Sequence, residues 1–235
     1  MRLLSALKFD ILSLYRYRII HSYLIIAIAY IFLINMVPES VSITTKILVI
    51  FTDPVVLGFY FIGGVILLEK SQHTFDSLFV TPFRIEDYII TKVCSFTLLT
   101  VVVCLIIIFF TTGFKINIWP LLLGAILSAI FFTLVGFILA VRTKTLNGYF
   151  IISALYSAIF FLPLLDYLNI FHTRLFYIIP SHLTLILIEG GFINLSAWKM
   201  LYAVVTLIIW IGIAYIFASH SFYKSIILNI GSDKN

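Results

Sequence analysis

Long apolar stretches alternate with short polar ones along most of this chain of 235 residues. Six apolar stretches approach the ~20 residues that a helix needs to cross ~30 Å of hydrocarbon. They are Ile19–Val37, Lys46–Leu68, Tyr88–Thr112, Trp119–Val141, Asn147–Asp166 and Met200–Ala218. The pattern predicts an all-α integral membrane protein with six transmembrane helices. Since no other stretch is long enough for a soluble domain, we expect residues 1–235 to form a single transmembrane domain.

The composition supports a membrane protein. Hydrophobic residues make up 63% of the chain and charged residues only 11%, and the mean hydropathy is +1.18. A soluble domain has roughly a quarter of its residues charged. The composition therefore excludes an ordinary soluble enzyme or binding module.

The basic residues predict the orientation. Eleven of the fifteen Lys and Arg residues fall on one side of the six-helix arrangement and four fall on the other. By the positive-inside rule, both termini and the segment after the second helix are cytoplasmic. We expect a multi-pass protein of the plasma or inner membrane, whose net charge of +5 follows from its topology and does not indicate nucleic-acid binding.

An interfacial helix is predicted for residues 1–18, before the first transmembrane helix. Apolar residues fall on one helical arc and polar residues on the opposite one. The apolar arc holds Leu3, Leu4, Leu7, Ile11 and Leu14. The alternative is a simple charged anchor for the first transmembrane helix.

The segment 69–87, between the second and third apolar stretches, is rich in charged and polar residues. Phe75, Leu78 and Phe79 make a small apolar face at spacings i, i+3 and i+4, which suits a groove on a partner protein. Pro82 ends that helix. Glu69 can pair with a basic residue nearby or with one of a partner. The nearby candidates are Lys70, Arg84 and Lys92.

Asp53 and Pro54 interrupt the second apolar stretch. An ionised side chain in hydrocarbon costs from ~2.5 kcal/mol upward, so the aspartate needs an explanation. An Asp N-cap followed by Pro at the first helical position is a common helix start. The alternative is a polar group that faces a transport pathway.

The segment 167–198 is predicted to re-enter the membrane from the outer side. Its two apolar runs, Leu175–Ile179 and Leu183–Ile188, are too short to span and are separated by Pro180, Ser181 and His182. Two half-helices around this break would have their freed backbone covered by protein or facing a wet cavity. The alternative is a segment that lies flat on the membrane surface.

Small residues recur in the fourth and fifth apolar stretches. Gly124, Ser128, Gly136 and Ala140 have spacings that allow helix backbones to approach closely. They predict packing faces, either within the chain or against a second copy.

Motifs of the common catalytic sites do not occur in this sequence. The nearest match to a phosphate-binding loop, Gly58 to Val65, lacks the lysine and the hydroxyl residue that bind phosphate and magnesium. None of the five histidines has metalloprotease or zinc-site spacing, so no metal ligand is predicted. We expect the chain to hydrolyse no ATP itself and to bind no cofactor.

The second helix and the segment after it resemble the permease subunits of type-2 ATP-binding-cassette (ABC) exporters, and most closely small permeases of the fluoroquinolone-export type. The resemblance is carried by the following residues: Asp53, Pro54, Gly58, Phe59, Gly63, Leu68, Glu69, Lys70, Thr74, Leu78, Thr81, Pro82, Tyr88 and Lys92. The sequence Ser71-Gln72-His73 departs from the acidic residue and glycine that relatives often have there.

The resemblance implies a division of labour. ATP and magnesium would bind to separate ATPase subunits, which would contact a coupling helix of this chain. The coupling residues would be Glu69, Lys70, Thr74, Phe75, Leu78, Phe79, Thr81 and Pro82. Tyr88 and Lys92 would begin the third helix, and a second permease chain, identical or homologous, would complete the transporter.

The predicted function is that of an exporter subunit for an amphipathic or hydrophobic substrate such as a drug, a lipid or a peptide. One alternative is a stand-alone secondary transporter or channel, although such proteins usually need ionisable residues within their spans. Another is an accessory or immunity membrane protein, or a membrane enzyme without a familiar motif.

Overall fold

The computed structural model describes residues 2–52, 56–72, 74–75, 84–113 and 116–227. Every regular element within these ranges is helical. The α-helices are α1 (Arg2–Arg16), α2 (Ile19–Met36), α3 (Glu39–Ile50), α4 (Val56–Ser71), α5 (Ile85–Thr112), α6 (Ile118–Arg142), α7 (Leu146–Phe161), α8 (Leu164–Tyr167), α9 (Pro180–Glu189) and α10 (Ala197–Phe222). A 3₁₀ helix spans Arg174–Ile178, and a π-helical turn, Tyr223–Ile227, follows α10.

Five helical segments in the described part of the chain are long and apolar enough to cross a membrane. They are Ile19–Met36, Ile85–Thr112, Ile118–Arg142, Leu146–Tyr167 and Ala197–Ile226. The expected second span, residues 46–68, is divided between α3 and α4, and α4 has 16 residues. The all-helical membrane fold is confirmed, whereas the count of six spans and the orientation stay predictions.

Contacts between helix ends define two ends of the bundle. At one end, the Lys70 ammonium of α4 donates to the carbonyl oxygen of Val141 in α6, at 2.6 Å. At the opposite end, the Asn117 amide donates to the Gly191 carbonyl, at 2.9 Å. We name these the α1 end and the α9 end, after the short helix that lies at each.

The helix α6 lies at the centre of the bundle, where it packs against α4, α5, α9 and α10. A Cβ added at Gly124 would lie 2.8 Å from Leu187 Cβ in α9. One added at Gly136 would lie 2.6 Å from Ile62 Cγ2 in α4 and closer still to a backbone carbonyl of that helix. The predicted packing face of α6 is therefore used within the chain, since only glycine permits these approaches.

The helix α5 begins before its apolar stretch does. The Arg84 amide donates to Asp87 Oδ2 at 3.4 Å, and two acidic residues in the first turn favour the positive end of the helix dipole. With 28 residues, α5 is about 42 Å long, more than the ~30 Å of a hydrocarbon layer. Its polar first turns can therefore extend beyond the hydrocarbon.

The helix α1 packs against α2 and α5, but little of its predicted apolar arc is buried by protein. Leu3 and Leu4 are exposed, and Leu14 is buried. Exposed leucines on a short amphipathic helix suit the lipid interface that the sequence predicted. The buried polar residue is Asp10, whose partners are described below.

The segment 167–198 differs from two equivalent half-helices. Its first apolar run forms a 3₁₀ helix whose Leu175 and Ile178 are exposed. Its second run forms α9, which begins at Pro180 and is buried against α6 and α10. Proline is accepted in the first turn of a helix because the amide there has no partner, so the predicted break is a helix start. The packing of α9 also differs from a segment lying flat on the surface.

Candidate functional site

Three charged side chains from three helices meet in the protein interior at the α1 end. The Lys92 ammonium in α5 donates to Asp10 in α1 and, at 2.5 Å, to Glu69 Oε1 in α4. Lys92 is 3% exposed, Asp10 4% and Glu69 8%. A buried charge is tolerated only when it is paired and hydrogen-bonded, so each of these three groups requires the others.

Two hydroxyl groups complete this ion cluster of Asp10, Glu69 and Lys92. The Tyr88 hydroxyl donates to Glu69 Oε2, and the Ser95 hydroxyl donates to Asp10. The carboxylates therefore accept bonds from a cation and from neutral donors, which compensates their loss of water. The cluster ties α1, α4 and α5 together where α4 ends and α5 begins.

The predicted residues Glu69, Tyr88 and Lys92 are thus brought together, with Lys92 as the partner of Glu69. Lys70 points elsewhere and donates to the Val141 and Thr143 carbonyl oxygens, at 2.6 and 2.9 Å. A cation at that position satisfies carbonyl groups at the C-terminus of α6 and complements its dipole.

The aromatic side chains of Phe75, Tyr88, Phe137 and Phe222 pack beside the ion cluster. The Phe75 ring lies 5.6 Å from those of Phe222 and Tyr88, both edge-on, and Phe75 is 4% exposed. The sequence suggested that Phe75 faces a partner's groove, but its side chain here belongs to the core of its own chain. Thr74, next to it, is half-buried.

Six predicted site residues lie outside the described residues: Asp53, Pro54, Leu78, Phe79, Thr81 and Pro82. Their assigned roles, the N-cap or pathway residue at 53 and the ATPase-coupling face of 74–82, stay predictions. The described residues Glu69, Phe75, Tyr88 and Lys92 show only that this segment begins and ends beside the ion cluster.

A second polar site lies at the α9 end, around Asp166. Its carboxylate oxygen Oδ1 lies 2.7 Å from Nδ1 of His172, and Oδ2 lies 3.7 Å from Nδ1 of His182. Both histidines and Asp166 line a cavity of about 390 Å³, together with Glu189 and Lys199. Of the predicted break, Pro180 and Ser181 are buried in the core and only His182 faces this cavity.

Burial shifts two titrating groups of this cavity. The loss of water lowers the pKa of His182, and the nearby Asp166 carboxylate opposes the shift. Burial raises the pKa of Glu189, and the positive charge of Lys199 opposes that shift. His182 is therefore neutral at pH 7. Among the residues that the structure describes, no group of three or more His, Cys, Asp or Glu is arranged to hold a metal ion.

Comparison with known proteins identifies the family. The profile of the fluoroquinolones export permease protein family matches residues 1–229. The chain belongs to this family. Two curated relatives are the fluoroquinolones export permease proteins of Mycobacterium tuberculosis strains CDC 1551 / Oshkosh and ATCC 25618 / H37Rv. Each is 24% identical over 207 residues, which cover 87% of both chains. No solved structure matches the chain significantly.

Membership of this export permease family confirms the resemblance seen in the sequence, including the fluoroquinolone-export type. It describes the chain as a membrane permease that serves in transport and efflux. Together with the five membrane-compatible helices, it places the permease in a membrane.

Sequence reasoning missed two residues of this permease, Asp10 and Asp166. Asp10 lies three residues after Leu7 and four before Leu14, so it falls on the apolar arc of α1, where an acid is out of place. This was a usable signal. Asp166 ends an apolar stretch and looks like an ordinary boundary residue, and only the tertiary fold brings His182 beside it.

Proposed function

We propose that this permease is the membrane-spanning subunit of an ABC exporter. Two permease chains, identical or homologous, would work with two separate ATP-binding subunits, and ATP and magnesium would bind only to those subunits. The observation that carries the proposal is the ion cluster of Asp10, Glu69 and Lys92. It joins the end of α4 to the start of α5, the two helices that flank the predicted coupling segment.

The ion cluster supports a coupling role because it joins three helices at one point. Pulling a buried lysine away from two carboxylates would leave charges unpaired in a medium of low polarity, which costs several kcal/mol. A push on the segment between α4 and α5 therefore moves α1, α4 and α5 together instead of separating them. Lys70 extends this body to the end of α6.

The proposed orientation has the α1 end in the cytoplasm of a cell with the permease in its plasma or inner membrane. A cavity at this end is lined by Lys70, Arg142, Lys144 and Lys224, and no acidic residue of the described ranges lines it. An excess of Lys and Arg marks the cytoplasmic side of membrane proteins. The α9 end, with the Asp166 cavity, would then face outward.

The proposed substrate is an amphipathic or hydrophobic molecule that leaves the cytoplasm. The names of the two relatives describe export of fluoroquinolones, which are amphipathic drugs. The side chains buried between the helices of this permease are mainly apolar and aromatic, so a pathway opened between these helices would have walls that suit a substrate of that kind.

The proposal is tested by reconstituting the permease with its candidate ATP-binding subunit in proteoliposomes. We expect co-purification, and ATP hydrolysis that rises when a fluoroquinolone is added. Uptake driven by an ion gradient without an ATPase would instead identify a secondary transporter. Transport that is undiminished without ATP would refute the proposal.

Contact with the ATPase is mapped by cysteine cross-linking. Phe75 is unsuitable for this test because its substitution would damage the core. A cysteine at Leu78 or Thr81, in a Cys94→Ala background, should cross-link to the ATP-binding subunit, whereas a cysteine at Ser196, next to the α9 end, should not. Equal cross-linking at both ends would contradict docking on this segment.

A further inference from the structure

At the α9 end, a buried nitrogen of the cavity residue His182 has no hydrogen-bond partner among the residues that the structure describes. Nδ1 of His182 is buried and accepts or donates no hydrogen bond in the described part of the chain. The His182 side chain is about nine-tenths buried and lines the cavity. Since an unpaired buried polar atom costs free energy, such an atom in a cavity wall points to a ligand.

The spacing between His182 and Asp166 suits a bridging donor. Their atoms Nδ1 and Oδ2 are 3.7 Å apart, too far for a direct hydrogen bond. A nitrogen placed ~2.8 Å from both atoms would fill this gap, and the two N–H bonds of one protonated amine could reach both. The other carboxylate oxygen of Asp166 is held by His172, which fixes the orientation of the carboxylate.

A cation also lines this cavity. Lys199 is exposed to the cavity and forms no ion pair within 4 Å with any acid in the described ranges. Burial raises the pKa of Glu189 and the positive charge of Lys199 opposes this shift, but the two side chains are not in ion-pair contact. Lys199 is therefore available to an anionic group of a ligand.

Aromatic walls complete the cavity. The Tyr177 ring lies 4.6 Å from the His182 ring, and the Tyr202 hydroxyl donates to the Tyr177 carbonyl at 3.0 Å, which holds this part of the wall. Aromatic faces attract cations and cover flat ring systems. A volume of about 390 Å³ is within the range of sites that hold drug-sized molecules.

We propose that this cavity binds a small zwitterion that carries both a protonated amine and a carboxylate. The amine donates to Asp166 Oδ2 and His182 Nδ1, and the carboxylate pairs with Lys199. The inference rests on the proposed function, because the orientation given there makes this cavity a site on the release side of the membrane.

The test uses the full-length chain in lipid nanodiscs and three related probes. The first is a fluoroquinolone with a free piperazine amine, the second its N-acetyl derivative, which cannot carry the positive charge, and the third its methyl ester, which lacks the carboxylate. Binding is followed by the fluorescence of the drug. Because one charge-assisted contact is lost in each case, we expect each derivative to bind about tenfold or more weakly than the parent.

Two substitutions assign each charge of the probe to its partner. Asp166→Asn should weaken binding of the parent drug and leave the affinity for the N-acetyl derivative unchanged. Lys199→Gln should weaken binding of the parent drug and leave the affinity for the ester unchanged. His182→Phe keeps an aromatic ring but removes the acceptor, and should act like Asp166→Asn. The matched controls are Glu86→Gln and Lys224→Gln, exposed charges near the α1 end that should change no affinity.

Three results would overturn the inference. The first is that the parent drug shows no saturable binding. The second is that each variant loses the same affinity for all three probes. The third is that Asp166→Asn and Lys199→Gln both bind the parent drug with wild-type affinity. The last result would mean that a water molecule fills the gap beside His182. Fluoroquinolone-stimulated ATP hydrolysis that persists under any of these outcomes would leave the proposed function standing, so the two failures are distinguishable.

Discussion

Replacement of Lys92 by methionine gives the sharpest test of the buried ion cluster. Methionine keeps the length and most of the apolar stem of lysine but removes the cation that pairs with both Asp10 and Glu69. Two carboxylates would then lie close together in the protein interior without a countercharge. Hydrogen bonds from Tyr88 and Ser95 would remain, but neutral donors compensate a buried carboxylate only in part.

The magnitude follows from the burial of the three groups. Breaking a buried ion pair by removing one partner costs about 3–5 kcal/mol. Lys92→Met should lower the free energy of unfolding by this amount. The triple variant Asp10→Asn, Glu69→Gln and Lys92→Met removes every charge of the cluster and keeps the side-chain volumes. It should lie within about 1 kcal/mol of the wild type, because no unpaired charge remains.

Unfolding is measured by titrating dodecyl sulfate into detergent-solubilised permease and following its circular dichroism and tryptophan fluorescence. Lys224→Met, the loss of an exposed cation near the same end, serves as the control and should change stability by less than about 0.5 kcal/mol. If Lys92→Met lowered the free energy of unfolding by less than about 1 kcal/mol, the prediction that these three charges are buried and paired would be refuted. If the triple variant were as unstable as the single one, packing of the lysine stem and not charge would be responsible.

Three further predictions concern other parts of the molecule. Gly136→Ala should destabilise the fold by about 1–3 kcal/mol in the same titration, because its methyl group would overlap the backbone of α4, whereas Gly212→Ala, with open space around it, should be neutral or slightly stabilising. Lys70→Gln should cost about 1–2 kcal/mol, because the positive charge at the end of α6 is lost, whereas Lys144→Gln, at an exposed residue, should cost little. Because the pKa of His182 is lowered in the folded protein, the unfolded chain takes up a proton at a higher pH than the folded protein does. The free energy of unfolding should therefore fall as the pH drops below about 6.5, the pKa of an unperturbed histidine, towards the folded pKa. His182→Gln should reduce this acid sensitivity, and a variant whose stability depends on pH as the wild type's does would contradict the assignment to His182.

The membrane helices could be located from hydropathy because each has to satisfy its own backbone in lipid. The predicted run Ile19–Val37 became α2, Ile19–Met36, and Trp119–Val141 became α6, Ile118–Arg142. The third apolar stretch begins at Tyr88, three residues after the start of α5, because a capping box begins that helix among polar residues, where hydropathy gives no signal. Hydropathy also joined α3 and α4 into one run, since both are apolar.

The candidate functional site is less predictable from the sequence because it depends on contacts between residues that are distant along the chain. The spacing of Tyr88 and Lys92 put both on one face of α5, so their common role could be expected. Lys92 was one of three possible partners of Glu69, and nothing local distinguished it from Lys70. The partnership with Asp10, 82 residues away along the chain, required the packing of α1 against α5.

The position of α6 shows how a push at the α1 end could reach the α9 end. Gly136 contacts α4 and Gly124 contacts α9, and these two close approaches lie twelve residues, or about 18 Å, apart along α6. Where two helices pack this closely, no flexible side chains lie between them that could change rotamer and let the helices shift. We therefore expect α4, α6 and α9 to move as one body. The helix α7 is held to that body more weakly, by hydrogen bonds from Tyr149 to the Phe59 carbonyl and from Tyr60 to Ser157. Within the proposed exporter, α7 is therefore the helix that would tilt relative to the others. The segment after α7 meets α9 at the cavity around Asp166, so a tilt of α7 would change the shape of that cavity.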